Sequence, residues 1–514
     1  MKRIISWILC LTLIAALAGS VLAAPAENGN PQQGEKIEGT EGESAGEQGE
    51  SAGEQGESAG GEGGSAGGGD GMDGNQVASA GAPEGSVNIS SGEKILDGEV
   101  ISVWEGSAVQ NSGTSVIVAR NCEITGDTTA ETTPVTGNPG NLLIAGSIRT
   151  TIALGQGQSF YINSKITTKN WAALATDGAE PALSDDEKEL SLYAYGTEAT
   201  ALEGGYGAYS DLFCNFYSYG SDLQSAEIGI ISGTYGTITI GTIAEGEANE
   251  ELAAHLIDED TAVHEDKEEG SVITAGRNAI MIHSVNLPPY WEYEGYSEEE
   301  LPLYSTPVYA HASVLKTDLS LNKGIEYEDQ KQAFIDHSAG SVILVKSTNT
   351  DIVLDACELI ADEAGTGNII QTVYNNDTMF MNAVPDGEEY PGVNITMKNM
   401  EVEGNVVHED YQRKLQLTLE AAQLTGSVNE YDCAHWNEVS AAEGFTDFCL
   451  DASYETHHGA FLVLTEGSVW NVTEESCLSG LTIEEGCSVN GTITVDGEAV
   501  EGPGAYTGSI IVTP

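Results

Sequence analysis

Residues 415–419 read Leu-Gln-Leu-Thr-Leu, and related stretches occur at 341–345 (Ser-Val-Ile-Leu-Val), 351–355 (Asp-Ile-Val-Leu-Asp) and 491–495 (Gly-Thr-Ile-Thr-Val). Short runs of β-branched or apolar residues, separated by Gly, Asn, Asp, Ser or Thr, predict short strands joined by tight corners. A strand this short buries little by itself, so it must stack on similar neighbours to form a core. The sequence therefore predicts an all-β protein built as a single parallel β-helix (solenoid).

The spacing of the strands permits one other architecture. Near the C-terminus, strand centres are expected at Trp470, Leu481 and Ile493, with Gly480, Gly486 and Gly491 between them. Turns about every 8–12 residues also occur in β-sandwiches, so a tandem array of Ig-like domains is the alternative. The shortness of the strands, the scarcity of Asn-Gly hairpin turns and the length of the patterned region favour the solenoid.

A family resemblance rests on residues 467–483, which read Gly-Ser-Val-Trp-Asn-Val-Thr-Glu-Glu-Ser-Cys-Leu-Ser-Gly-Leu-Thr-Ile. This segment resembles the closing coils of autotransporter-like, adhesin-like passenger β-helices, where Trp-x-Val-Thr, Ser-x-Leu and Leu-x-Leu or Leu-x-Ile follow in this order. Residues 414–428 are similar to the strand-and-turn rungs of the pectin-lyase-like superfamily. The resemblance implies a right-handed parallel β-helix with projecting loops, and it leaves the activity open because this fold hosts adhesins, lyases and hydrolases.

The N-terminal part of the chain predicts export. Met1-Lys2-Arg3 forms a basic n-region, residues 4–18 are an apolar stretch, and Val21-Leu22-Ala23 precedes Ala24 as a small-residue cleavage site. We expect residues 1–23 to be a signal peptide, and the mature protein to be secreted or extracellular without membrane insertion after cleavage. A retained membrane anchor is the alternative, but the apolar run is short for a bilayer.

The next segment, residues 24–86, has a different composition. Gly-Glu-Ser-Ala-Gly-Glu-Gln occurs at 42–48 and again at 49–55, and apolar residues are nearly absent. Such a chain cannot bury enough surface to fold, so the segment is expected to be a disordered Gly/Glu/Ser-rich linker. The β-helix is expected over residues 87–514.

The charge of the protein limits its partners. The chain has 18 Lys and Arg against 81 Asp and Glu, which gives a formal net charge of −63 at pH 7. Nucleic acids and anionic membrane surfaces are poor partners for this chain, and none is expected, because both require clustered basic residues. Ca²⁺ would be the natural counterion of so many carboxylates, and no other cofactor is expected.

Interruptions of the strand pattern near 177–190, 245–270 and 287–310 are expected to project from the solenoid as loops. Tyr290, Trp291, Tyr293 and Tyr296 lie in the last of these, beside carboxylates. Exposed Tyr and Trp rings suit sugar stacking, and loops inserted in solenoids often carry binding sites. We therefore take these four residues as candidate glycan-binding residues; the alternative is that the rings pack onto the flank of the solenoid.

Two further aromatic and helical features fall in the same half of the chain. The Tyr-rich stretch 206–219 is expected to stack ring on ring, either inside or along adjacent coils, and residues 249–255 are expected to form a short helix within the second interruption.

Enzymatic motifs are incomplete. Asn349-Thr350-Asp351 matches the start of a motif in the related polygalacturonase-type hydrolases, and His457-His458-Gly459 offers a His-Gly element. The Asp-Asp pair and the Arg-x-Lys of that pattern are missing, so we interpret residues 349–351 as a corner in which Asn and Asp bond their own backbone. No catalytic or metal-binding residue is predicted.

Seven cysteines remain after signal cleavage, so at least one thiol has no intramolecular partner. Cys433 with Cys449 and Cys477 with Cys487 are spaced so that either pair could form a disulfide or stay as small buried residues.

The function expected from the sequence is adhesive or structural, at or outside the cell surface, with an extracellular glycan or a cell-surface component as the partner. The alternative is a carbohydrate-active enzyme, a polysaccharide hydrolase or lyase, on the same scaffold.

Overall fold

The computed structural model describes residues 85–103, 106–126, 148–169, 171–177, 190–202, 205–210, 214–233, 236–283, 309–321, 340–346, 348–362, 364–373, 392–410, 413–431 and 459–514. The expected signal peptide and nearly all of the acidic linker lie outside these residues. So do residues 178–189 and the segment 284–308, with Tyr290, Trp291, Tyr293 and Tyr296.

The chain winds into a parallel β-helix with three faces, which we call A, B and C. Among the described residues, sheets of 26, 8 and 4 strands form it, and most strands pair in parallel with the strand three places further along the chain. Face A contains β2 (Glu93–Asp97), β5 (Val116–Arg120), β8 (Gln158–Ile162), β11 (Leu190–Tyr195), β14 (Cys214–Tyr219), β17 (Thr237–Gly241), β20 (Tyr309–Leu315), β23 (Asn349–Asp355), β26 (Val393–Lys398), β29 (Leu415–Glu420) and β32 (Ala460–Thr465).

Face B follows face A in every coil. It contains β3 (Val100–Val103), β6 (Glu123–Gly126), β9 (Lys165–Thr168), β12 (Glu198–Ala201), β15 (Asp222–Ser225), β18 (Val272–Ala275), β21 (Asp318–Leu321), β24 (Glu358–Ile360), β27 (Glu401–Glu403), β30 (Gln423–Thr425), β33 (Val469–Asn471) and β35 (Ser488–Asn490).

Face C closes each coil. It contains β1 (Val87–Ile89), β4 (Val109–Asn111), β7 (Ile148–Leu154), β10 (Trp171–Asp177), β13 (Tyr206–Ser210), β16 (Ile228–Ser232), β19 (Asn278–His283), β22 (Ile343–Lys346), β25 (Asn368–Val373), β28 (Asn405–Glu409), β31 (Val428–Glu430) and the first half of β34 (Ser476–Ile483), whose second half pairs with β32 on face A. The expected parallel β-helix is confirmed.

The core forms because equivalent apolar residues of successive coils stack directly on each other. On face A, Ile395, Leu417 and Leu462 occupy one register row, and each is at most 1% exposed. Residues on either side of them in each strand point outward, as the two-residue period of a strand requires. Stacking of short strands therefore supplies the burial that none of them achieves alone.

The corner between faces A and B depends on a residue in the left-handed region. Asn121, Asn163 and Asn399 have φ of 52°, 46° and 50°, and glycine takes the equivalent place in other coils. Asn tolerates this conformation better than most residues because its side chain can bond locally. Asn or Gly thus occupies the first of the two corner residues in several coils, and Lys316, Ala356 and Ala421 occupy it in three others.

Hydroxyl groups stack at the second position of the same corner. The Ser164 hydroxyl accepts from the Cys122 amide at 3.1 Å, Thr197 from Ser164 at 3.4 Å, and Ser221 from Thr197 at 3.1 Å. These buried amides would otherwise lose hydrogen bonds where the sheet ladder is interrupted. Ser and Thr at the corners therefore have a structural role inside the solenoid.

The C-terminal end differs from the parallel coils. Strands β36 (Thr492–Val495), β37 (Glu498–Val500) and β38 (Gly504–Thr513) are antiparallel, and β38 pairs along β34. Trp470 is fully buried in β33, and its indole donates to the Gly426 carbonyl at 3.0 Å. Ile493 lies in this antiparallel hairpin rather than in a further coil, so the last strands close the end of the solenoid, as terminal repeats must.

Candidate functional site

The lengths of the connections single out face C. Faces A and B are joined by two residues in most coils, for example residues 399–400 between β26 and β27. The long connections 127–147 and 322–342 lead into face C, and 178–189, 284–308, 374–392 and 431–459 lead out of it. Variation of length next to one face of a solenoid is typical of its binding side.

The outward-facing residues of face C change from apolar to polar along the solenoid. Ile231, Met281 and Leu344 occupy one row and are 0–6% exposed, although they point away from the interior row that contains Ile280. The next residue of this outward row is Gln371, which is 4% exposed. A buried polar side chain interrupts an apolar surface at this point.

The candidate aromatic segment starts beside this interruption. His283, the last residue of β19, is in register with Lys346, Val373 and Glu409 at the ends of β22, β25 and β28. Neighbouring strands are about 4.8 Å apart, so Glu409 lies roughly 14 Å from the residue where segment 284–308 leaves face C. We call this edge, formed by the ends of β22, β25 and β28, the C edge.

At the C edge a carboxyl group is buried against an amide. Gln371 Nε2 donates to Glu409 Oε2 at 2.8 Å, and Glu409 is 6% exposed. Burial raises the pKa of Glu409 from 4.5 to about 7, and the hydrogen bond from Gln371 opposes part of this rise. Among the described residues, Glu409 has no other hydrogen bond and no ion pair. Glu409 can therefore bind or release a proton near neutral pH.

The residues on either side of Glu409 are also buried and polar. His408 points into the solenoid, where its Nδ1 lies 2.6 Å from the Thr372 hydroxyl. Arg413 donates to Asp410 at 2.9 Å, and both side chains are 1% exposed. The pair holds the turn from β28 to β29, because either charge alone would be costly to bury.

Sequence reasoning missed this cluster. The available signal was weak: Gln371 and Glu409 stand where strands of the pattern Ile-Ile-Gln-Thr-Val and Val-Val-His-Glu-Asp depart from apolar character.

A second outer surface is covered by the interruption between β17 and β18, which we call the strap (residues 242–271). It contains α1 (Ile243–Ala248), α2 (Glu250–Ala253) and α3 (Asp258–Ala262). Thr242 and Glu245 form a capping box at the start of α1, and Asn249 caps α2. A short helix within residues 249–255 is thus confirmed.

The strap lies on a stack of aromatic rings on the outside of face A. The ring of Tyr193 stacks between Phe160 and Tyr217, with centroid distances of 4.6 Å and 4.4 Å. Ile243 and Leu252 of the strap are fully buried in the same cluster. The expected stacking along adjacent coils is confirmed for Tyr217, and this interruption packs onto the flank instead of projecting.

Carboxylates and an amide of the strap bind the phenol groups. Glu251 accepts from Tyr193 Oη, Glu247 accepts from Tyr195 Oη at 3.3 Å, and Asn249 donates to Tyr219 Oη at 3.2 Å. Burial, followed by the neighbouring carboxylates, raises the pKa of Tyr193 and Tyr195, and burial raises the pKa of Tyr219 to about 12.

A buried ion pair fastens the far end of the strap. Arg120 Nε donates to Asp260 Oδ2 at 2.9 Å, and Arg120 also donates to the His255 carbonyl. The same Asp260 oxygen accepts from the Ile257 amide at 2.9 Å and so caps α3.

The candidate hydrolase motif lies in a strand of face A. Asn349-Thr350-Asp351 begins β23, and Asp351 Oδ1 accepts from Asn394 at 2.8 Å, so the interpretation of these residues as a corner is wrong. Their strand character follows from pairing with β20 and β26, which outweighs the turn preference of Asn and Asp.

Four of the described cysteines are free thiols. They are Cys122, Cys357, Cys477 and Cys487, so the Cys477–Cys487 pairing is not formed. Cys433 and Cys449 lie outside the described residues, as do His457 and His458. Within the described ranges, no group of three or more His, Cys, Asp or Glu residues could hold a metal ion.

Comparison of the chain with models of protein families, with curated proteins and with solved structures found no match. Among the described residues, no helix combines the length and apolar character needed to span a bilayer.

Proposed function

We propose that this protein is a secreted or cell-surface-associated β-helix with an adhesive or structural role, which binds an extracellular glycan or another surface component through face C. The observation that carries the proposal is the concentration of long connections next to face C, while the corner between faces A and B keeps two residues in most coils. A rigid scaffold with variable loops on one side suits recognition more than any other role of a solenoid.

The aromatic segment supplies the chemistry of binding. Tyr290, Trp291, Tyr293 and Tyr296 belong to a connection that leaves face C at His283. Their rings would stack on sugar faces, and the surrounding carboxylates would accept hydrogen bonds from hydroxyl groups. The net charge of −63 favours neutral glycans over polyuronates and other polyanions, unless Ca²⁺ bridges the charges. The similarity to adhesin-like passengers of the pectin-lyase-like superfamily supports the same role.

The test is a glycan-array binding assay of the mature chain, with and without Ca²⁺. Replacing Tyr290, Trp291, Tyr293 and Tyr296 together by Ala should weaken binding at least tenfold. The matched control is Tyr506→Ala, which removes an aromatic ring from the antiparallel hairpin at the C-terminal end. If the fourfold variant binds every ligand as tightly as the unmodified chain, the proposed site is wrong.

The buried carboxyl at the C edge favours a second candidate, a polysaccharide hydrolase. A carboxyl with a pKa of about 7 is suited to act as a general acid on a glycosidic oxygen. Such an enzyme needs a second carboxylate within about 10 Å. Release of reducing ends from pectin or related polymers, abolished by Glu409→Gln, would establish this activity; unchanged polymers would leave only the binding role.

A further inference from the structure

We propose that Glu409 and Gln371 form a reciprocal carboxylic acid–amide pair in the folded protein, and that loss of the Glu409 proton opens the C edge between β25 and β28. The bound species is a proton, and the device is a pH-sensitive contact between two neighbouring coils.

The side-chain amide of Gln371 has a hydrogen-bond partner for only one of its two polar atoms within the described residues. Gln371 Nε2 donates to Glu409 Oε2, but within the described residues Gln371 Oε1 is buried without a hydrogen-bond partner. A buried carbonyl oxygen left unpaired is destabilising. A protonated Glu409 donates its O–H to this oxygen and still accepts from Nε2, so one proton satisfies both side chains.

A negative charge on Glu409 would be poorly compensated at the C edge. A buried carboxylate normally has a cation or several hydrogen-bond donors beside it. In the part of the chain described by the structure, Glu409 has the Gln371 amide and no ion pair. Lys346 shares the register row of Glu409 but lies two strands away, about 10 Å between backbones.

Other titratable and charged groups lie around Glu409. Arg413 is paired with Asp410, so the turn after β28 adds no net positive charge. His408 points to the opposite side of the sheet, against Thr372. From the next coil, Tyr431 is itself half-buried, and burial followed by the charge of Glu409 raises its pKa. The groups around the pair are Lys346, His408, Asp410, Arg413, Glu430 and Tyr431. Burial is therefore the dominant influence on the pKa of Glu409, and it favours the neutral carboxylic acid.

The direction of the pH effect follows from linkage. The closed edge binds the proton more tightly than an opened edge, where Glu409 returns to its ordinary pKa of 4.5. Stabilisation by the proton is complete below that value and is lost as the pH rises through the folded pKa of about 7. Over this interval, the closed-to-open ratio falls up to about tenfold per pH unit, because a single proton is involved.

The experiment is hydrogen-exchange mass spectrometry of the mature chain at several pH values, corrected for the intrinsic exchange rate. Amides of β25 and β28 should lose up to about tenfold protection per pH unit between pH 4.5 and about 7. Glu409→Gln should keep the acid-state protection at every pH, since its amide donates to Gln371 Oε1 and accepts from Nε2. Asp351→Asn is the matched control: it also removes a carboxylate that accepts from a side-chain amide, and should leave the pH dependence unchanged.

Two outcomes would overturn the proposal. In the first outcome, hydrogen exchange of β25 and β28 in the Glu409→Gln variant keeps the pH dependence of the unmodified chain. The same conclusion follows if these amides exchange faster in the variant than in the unmodified chain at alkaline pH. The other outcome comes from infrared spectra of the unmodified chain, and it applies even if the variant does not fold. The infrared C=O stretch of a protonated carboxyl must persist at about pH 6 and disappear by about pH 9, and its absence at the lower pH refutes the neutral acid.

Discussion

Replacing Asp260 by Ala should release the strap from the outside of face A. Asp260 is 1% exposed and Arg120 is 8% exposed, so the variant leaves a guanidinium buried without its carboxylate. Breaking a buried pair in this way costs about 3–5 kcal/mol. Loss of the hydrogen bond from the Ile257 amide removes the cap of α3 and adds about 1 kcal/mol.

The release should be local, because the solenoid beneath the strap keeps its own ladder of hydrogen bonds. Together these losses amount to about 4–6 kcal/mol, and at 1.4 kcal/mol for each factor of ten they raise the open population of the strap by roughly three to four orders of magnitude. Hydrogen exchange of amides within residues 243–264 measures this population directly. Amides of β29, on later coils of face A, should be unchanged and provide the internal reference.

The matched control is Glu198→Ala, which breaks the pair of Lys165 with Glu198. Its atoms are 3.2 Å apart, but the side chains are 60% and 61% exposed. An exposed pair contributes less than about 1 kcal/mol, so exchange in the strap should not change. If Asp260→Ala accelerates exchange of the strap less than about tenfold, the ion pair does not hold the strap and the reasoning fails.

Three other predictions concern separate features. Trp470→Ala should lower the free energy of unfolding by about 3–5 kcal/mol in urea, because it leaves a cavity where the C-terminal coils meet; a change under 1 kcal/mol would contradict the packing. Asn399→Gly should be nearly neutral, whereas Asn399→Val should destabilise by about 1–2 kcal/mol, because the φ of 50° suits only residues that tolerate the left-handed region. Burial lowers the pKa of His264 from 6.5, so its stabilisation of the strap is present above pH 6.5 and lost as the pH falls below it; faster strap exchange in acid, absent in His264→Gln, is the expected result.

The two pH effects have opposite signs, which separates them experimentally. A fall in pH below 6.5 should loosen the strap through His264, whereas a rise in pH from 4.5 to about 7 should loosen the C edge through Glu409. If pH changed only the global stability of the protein, hydrogen exchange in both regions would change in the same direction.

The local sequence pattern predicted most of the architecture. Stretches such as 415–419 predict strands because an apolar residue recurs at every second position, and their shortness requires stacking into a solenoid. The burial of Trp470 and the stacking of Tyr217 follow from the same local preferences. Asn349 shows the limit of such reasoning: its residue type favours a turn, but pairing of β23 with neighbours on both sides holds it in a strand.

By itself, the sequence determined the class of fold, its acidic surface and the positions where the strand pattern stops. Only the tertiary structure decided which residues meet, because coils of unequal length make the register between successive strands unreadable from local spacing. Glu409 meets Gln371 across 38 residues, and Asp260 meets Arg120 across 140. The side that a strand residue faces is a local property with a period of two, whereas its neighbour in the next coil depends on the length of every intervening connection.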